Sequence, residues 1–72
     1  MTSQISGRNQ LKGKVVSVQL GDIMAEVTMQ VGDNLVDAVI TRRSAENLHL
    51  QVGDEVTALI KATQVMVVKN MD

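Results

Sequence analysis

Three short polar clusters hold the residues whose types could do chemistry. The first is Ser6-Gly7-Arg8-Asn9. Ser6 offers a hydroxyl, and Arg8 a planar fork of donors that suits an oxyanion. Gly7 has no side chain to keep a ligand away from the backbone. The second is Thr41 with Ser44. Residues three apart on a helical turn share a face, and hydroxyls beside the free amides of a helix start attract anions. The third is Lys61-Ala62-Thr63, where Lys61 lies on the strand face opposite Ile60. Each cluster also has a plainer reading: a polar lead-in to a strand, a helix cap and a surface lysine. Arg42 and Arg43 are adjacent and expected to point to solvent. Together the clusters supply two cations, several hydroxyls and exposed amides, with little to accept a proton.

No catalytic constellation accompanies them. His49 is the only histidine and reads as a loop or surface residue, without a partner for general base work. Asp54 and Glu55 follow a glycine in a turn and read as solvated. Asp33 and Asp37 flank a strand with no evident partner. The chain has no cysteine, which removes disulfides and thiolate metal sites. No catalytic residue and no direct cation ligand is therefore expected, and the chain does not read as an enzyme.

The elements that must position these clusters are mostly strands. Gln10 to Leu20 carries valines at 15, 16 and 18 and ends at Gly21-Asp22. After that turn Ile23, Ala25, Val27, Met29 and Val31 alternate with Met24, Glu26, Thr28 and Gln30, the period-two pattern of a half-buried strand. Two strands parted by Gly-Asp read as a hairpin. Gly32-Asp33-Asn34 is the next turn, and Leu35 to Ile40 a third strand. Thr41 to Leu48 reads as one or two helical turns behind a Thr or Ser cap. Val52-Gly53-Asp54-Glu55 is a turn, Glu55 to Ala62 a fourth strand and Val65 to Lys69 a fifth. The expected fold is all-β: a small five-stranded OB-like barrel with one short helix between strands three and four. Residues 1–72 form a single domain with a core at about 5–68.

Size and composition narrow the function. A chain of 72 residues buries too little surface to be robust alone, and domains this small need a staple. Without cysteine, self-association is the staple left. Val65-Met66-Val67-Val68 is apolar without a break, so both faces of that strand need cover, and a second subunit is the expected cover. Seven basic against eight acidic residues argue against electrostatic binding to nucleic acid. The complete absence of Phe, Tyr and Trp removes the stacking platforms of single-strand binders. No apolar run approaches the ~20 residues of a membrane span. Met1-Thr2-Ser3-Gln4 has neither a basic start nor an apolar stretch, so no secretion signal is expected and a cytoplasmic location is the default.

The segments Ser6-Gly7-Arg8-Asn9-Gln10-Leu11-Lys12-Gly13-Lys14-Val15, 41–48 (Thr-Arg-Arg-Ser-Ala-Glu-Asn-Leu) and 56–66 (with Ile60-Lys61-Ala62-Thr63) resemble the molbindins. These are the molybdenum-pterin-binding (Mop) proteins, built on a single TOBE-type domain. The family commonly has Ala after the first Ser, where this chain has Gly7. The resemblance implies a hexamer arranged as a trimer of dimers, with molybdate or tungstate bound at dimer interfaces. Carried over by motif, Ser6, Arg8, Lys61 and Ala62 come from one chain, Ala62 through its backbone amide, and Thr41 and Ser44 from the other. Asn9 is a candidate for a second site near the threefold axis. A lone copy implies intracellular storage, buffering or homeostasis of the anion. The competing readings are an OB-like assembly module without a ligand and an OB-type nucleic-acid binder, the latter opposed by the missing aromatics.

Overall fold

The computed structural model describes residues 9–70. In order they form β1 (Asn9–Leu20), β2 (Met24–Val31), β3 (Asn34–Thr41), α1 (Arg42–Asn47), β4 (Glu55–Ile60) and a 3-10 turn, Ala62–Gln64. The strands make one antiparallel sheet in the order β3-β2-β1-β4. The all-β architecture is as expected, with the short helix between strands three and four.

β1 serves two partners. Its first half, Asn9 to Lys14, pairs with β4, and its second half, Lys14 to Leu20, pairs with β2. The register shifts between Val15 and Ser17. One extra residue in a strand bends it and reverses the alternation of faces. That shift explains the valine spacing. Val15 opposes Met29 and Val18 opposes Val27, so both point inward although they are three apart, while Val16 is left exposed.

The core is small. Val15, Val27, Met29 and Ala58 are buried together, with Val18, Val36, Ala38, Ile40, Leu50 and Val56 packed around them. Ala25 and Ala45 are also buried. The opposite face of the sheet carries Glu26, Thr28, Gln30 and Asp37, and the Thr28 hydroxyl donates to Asp37 Oδ1 at 2.8 Å. Asp37 thus has a neighbour that the sequence did not reveal. β2 and β3 meet through Gly32-Asp33, with Val31 opposite Asn34 and Gly32 at φ 59°. A two-residue hairpin turn of this kind requires a left-handed first residue, which glycine adopts without strain.

α1 is closed at both ends. Thr41 caps it by accepting from the Ser44 amide at 3.1 Å. At the far end His49 N–H donates to Glu46 O at 3.0 Å and Leu50 N–H to Ala45 O at 3.2 Å. This is the Schellman pairing, and it places His49 at φ 52° in a position usually given to glycine. His49 is an exposed loop residue, as expected.

Three expectations need correction. Ile23 is not on the inner face of β2: it sits in the β1–β2 turn, 74% exposed, because β2 starts at Met24. β4 ends at Ile60 rather than Ala62, because the chain turns there into the 3-10 segment. The fifth strand, Val65 to Lys69, is not paired among the described residues, so the strand count is four. Met66, Val67 and Val68 are 93%, 92% and 86% exposed. After the 3-10 turn the chain pairs with no strand among the described residues. The radius of gyration is 13.5 Å, against the ~11 Å of a compact chain of this length.

Gly13 marks a close approach. A Cβ there would lie 2.6 Å from Gln30 O and 2.9 Å from Val31 Cγ2, just where β1 passes from one partner to the other. The carbonyl belongs to the ladder and cannot move aside. Gly13→Ala is expected to lower stability by about 1–3 kcal/mol, the usual range for overpacking. Chemical denaturation measures this, and an unchanged midpoint would contradict the close approach.

Candidate functional site

The first polar cluster is only partly in view: Ser6, Gly7 and Arg8 lie outside the described residues. Asn9 opens β1 opposite Ile60, and its Nδ2 donates to Ile60 O at 3.2 Å. That bond ties Asn9 to the end of β4, next in sequence to Lys61.

Thr41 and Ser44 form a tight pair. The Thr41 hydroxyl donates to Ser44 Oγ at 2.8 Å while Thr41 Oγ1 accepts from the Ser44 amide. The Thr41 hydroxyl hydrogen is therefore committed, and the Ser44 hydroxyl is the donor left to point outward. Both residues are exposed. The helix start has fewer free amides than expected, because Arg42 N–H donates to Ile23 O at 2.7 Å and Ser44 N–H is used by the cap.

Arg42 departs from expectation as well. Its Nε lies 3.2 Å from Glu46 Oε2, and its Nη1 donates to Gly21 O at 3.1 Å. The side chain clamps α1 to the β1–β2 turn instead of extending into solvent. The i,i+4 spacing of Arg42 and Glu46 was the available signal. The bond to Gly21 had none, since it joins parts of the chain far apart in sequence. Arg43 remains exposed. An open hollow of about 560 Å³ lies beside Thr41, lined also by Asp22, Ile23, Arg42, Arg43 and Glu46. Two carboxylates on its wall make it a poor seat for a dianion.

Lys61 is exposed and precedes the 3-10 turn, making no side-chain cap bond to it. Ala62 starts that turn, which is closed by Gln64 N–H donating to Lys61 O at 2.9 Å.

β1 serves as a ruler between the clusters. Thr41 pairs with Met24, beside the Leu20 end of β1, whereas Lys61 follows Ile60, which pairs with Asn9 at the other end. The two ends are roughly 30–35 Å apart along the strand, at ~3.3 Å per residue. The clusters also lie on opposite edges of the sheet. One chain therefore does not bring Thr41 and Ser44 to Lys61 and Ala62. Among the described residues no cluster of three or more His, Asp or Glu side chains could hold a metal ion. Nor is any helix among them long and apolar enough to cross a membrane.

The chain matches the family model of the TOBE domain over residues 5–67. It is 48% identical over 64 residues to Molybdenum-pterin-binding protein 1 of Clostridium pasteurianum, covering 88% of this chain and 94% of that protein. Its structure resembles that of a molybdate-binding protein from Sporomusa ovata, with a TM-score of 0.89 and 42% identity over 93% of this chain and all of the other. It also resembles ModG, described as a cytoplasmic molybdate-binding protein and solved with molybdate bound, with a TM-score of 0.80 and 41% identity. That match covers 83% of this chain but only 43% of ModG. With a TOBE model spanning nearly its whole length and a close relative matched almost end to end, the chain belongs to the TOBE-domain family, among the molybdenum-pterin-binding proteins.

Proposed function

We propose that two copies of this chain hold a tetrahedral oxyanion, molybdate or tungstate, between them. One observation carries the reading. In a chain whose relatives are described as binding molybdate, the donor clusters lie at opposite ends of β1, so a complete donor set needs a second molecule. Ser6, Arg8, Lys61 and the Ala62 amide come from one chain, and Thr41 and Ser44 from its partner. Asn9 contributes to a second class of site. The assembly is a hexamer, a trimer of dimers. The protein binds rather than catalyses, and stores or buffers the anion in the cytoplasm, the compartment named for ModG.

The chemistry suits a fully deprotonated dianion. Hydroxyls, amides, one guanidinium and one ammonium donate to all four oxygens, and charge-assisted bonds are the stronger class. Phosphate near neutral pH usually carries a proton and requires an acceptor. The proposed set contains no carboxylate, and Glu46, on the same short helix as Ser44, is engaged by Arg42. Sulfate has the right charge but is smaller, so cavity size must reject it. Tungstate and molybdate are too alike in size for these donors to separate.

Calorimetric titration tests the reading. Molybdate and tungstate are expected to bind far more tightly than phosphate, with sulfate weak. Equal heats for molybdate and phosphate would sink the selectivity argument, and no heat with any of the anions would leave a bare assembly module.

Arg8 can be tested by substitution. A lysine cannot reproduce the guanidinium fork, so Arg8→Lys and Arg8→Ala should both weaken molybdate binding. A lost charged hydrogen bond is worth ~1.5–3 kcal/mol, roughly ten- to a hundred-fold in affinity. Parental affinity in the Arg8→Ala protein would remove Arg8 from the site.

Sharing between chains has its own signature. Chains carrying Arg8→Ala and chains carrying Ser44→Ala are each expected to bind poorly. In a twofold dimer the site occurs twice. Co-refolding the two variants makes about half of the dimers mixed. One site of each mixed dimer then has both intact residues, so about a quarter of these sites recover. If both residues served a site within one chain, every site would keep a defect. A refolded mixture without a high-affinity component, with mixed dimers confirmed by mass, would rule out sharing.

A further inference from the structure

The hollow between the β1–β2 turn and α1 sets Asp22, Arg42, Arg43 and Glu46 beside Thr41. A carboxylate so near a set of anion donors repels a dianion. Asp22 belongs to the turn, whereas Glu46 follows Ser44 by two residues on the same short helix. Glu46 is therefore the carboxylate whose charge travels with the donors. It does not stand free. Its Oε2 lies 3.2 Å from Arg42 Nε, and among the described residues this is the one salt bridge. The same guanidinium donates from Nη1 to Gly21 O at 3.1 Å. Bonded at two points, it is fixed against Glu46 instead of free to swing into the donor set. Its side chain and that of Glu46 are 40% and 57% exposed, and exposed pairs of this kind add little to stability. Stability alone does not account for the arrangement.

We propose that Arg42 sets the anion selectivity of the shared site by neutralising Glu46. It acts through Glu46 and is a positioning residue, not a ligand. The proposal rests on the shared-site reading above, in which Thr41 and Ser44 donate to the anion.

Two consequences follow, one from charge and one from hydrogen-bond type. An uncompensated carboxylate within about 8 Å of a dianion costs roughly ten-fold in affinity at a dielectric between that of water and that of a protein surface. Salt screens that repulsion. The same carboxylate is also an acceptor. Hydrogenphosphate has a proton to offer it, and molybdate has none. Glu46 without Arg42 therefore weakens molybdate binding and favours phosphate. With Arg42 in place the charge is offset, and Oε2 already accepts from the guanidinium. Arg43 lines the same wall but lies within ion-pair distance of no carboxylate among the described residues, so it does not take over this role.

The test is calorimetry at low salt with molybdate and with phosphate. The proteins are the parent, Arg42→Gln, Arg42→Lys and the double variant Arg42→Gln with Glu46→Gln. Arg42→Gln is expected to bind molybdate about ten-fold more weakly, with a smaller preference over phosphate and a loss that shrinks at high salt. Arg42→Lys keeps the charge and is expected to retain most of the binding. The double variant is expected to recover it, because the exposed carboxylate is gone. A purely bracing role for Arg42 predicts no such recovery, since the bond to Gly21 O is missing from both Gln variants. A double variant as weak as Arg42→Gln therefore overturns the proposal. If Arg42→Gln does not fold, Glu46→Gln alone decides. It is expected to bind molybdate at least as tightly as the parent, and weaker binding overturns the proposal. A parent that gives no heat with molybdate overturns the shared site and this role with it. Parental affinity and selectivity in Arg42→Gln overturn this role alone.

Discussion

The contact of Val15 and Val18 on β1 with Met29 and Val27 on β2 is the one on which the other elements are built. Val15 is fully buried, and the largest side chain to be so among the described residues. β4 joins through Ala58, β3 through Val36, Ala38 and Ile40, and the loop after α1 through Leu50. Nothing bulkier than methionine enters this layer, because the chain has no aromatic residue. Burial of aliphatic side chains is worth ~1.5–3 kcal/mol each, and chain entropy consumes most of such gains. A core of this size leaves little margin, and much of the remaining apolar surface points outward.

That shortfall links stability to function. The same arrangement that leaves β3 and residues 65–68 uncovered also separates the donor clusters. In the proposed reading a second copy supplies the missing half of the donor set. Binding and assembly are then thermodynamically coupled: an anion that recognises only the assembled form shifts the equilibrium toward it by mass action.

Much of the fold was legible because its signals are local. The clean alternation from Ala25 to Met29, the Gly32-Asp33 turn and the Thr41 cap each depend on neighbours in sequence. The features that escaped depend on contacts made elsewhere. The β1 bulge shows only when Val15 and Val18 are set against Met29 and Val27 across the sheet. Arg42 reads as solvent-facing until Gly21 O is found beside it, and Asp37 as unpartnered until β2 brings Thr28 alongside. Val65 to Lys69 carries the hydrophobicity of a strand, but hydrophobicity alone does not supply a pairing edge, and none is found among the described residues. The candidate site follows the same division. Thr41 and Ser44 were recognisable as a capping pair from their spacing, whereas their distance from Lys61 emerges only from the strand register.

Thr41 ends β3, caps α1 and gives its hydroxyl hydrogen to Ser44. One small side chain thus ends a strand, caps a helix and orients a neighbouring hydroxyl at once. Replacement by valine keeps the strand but uncaps the helix, and replacement by aspartate keeps the cap but sets a negative charge beside the outward hydroxyl. Serine alone preserves both roles among the common substitutions. Any evolutionary change at this corner of the molecule must therefore proceed through neighbouring positions, because the junction residue has almost no freedom to vary.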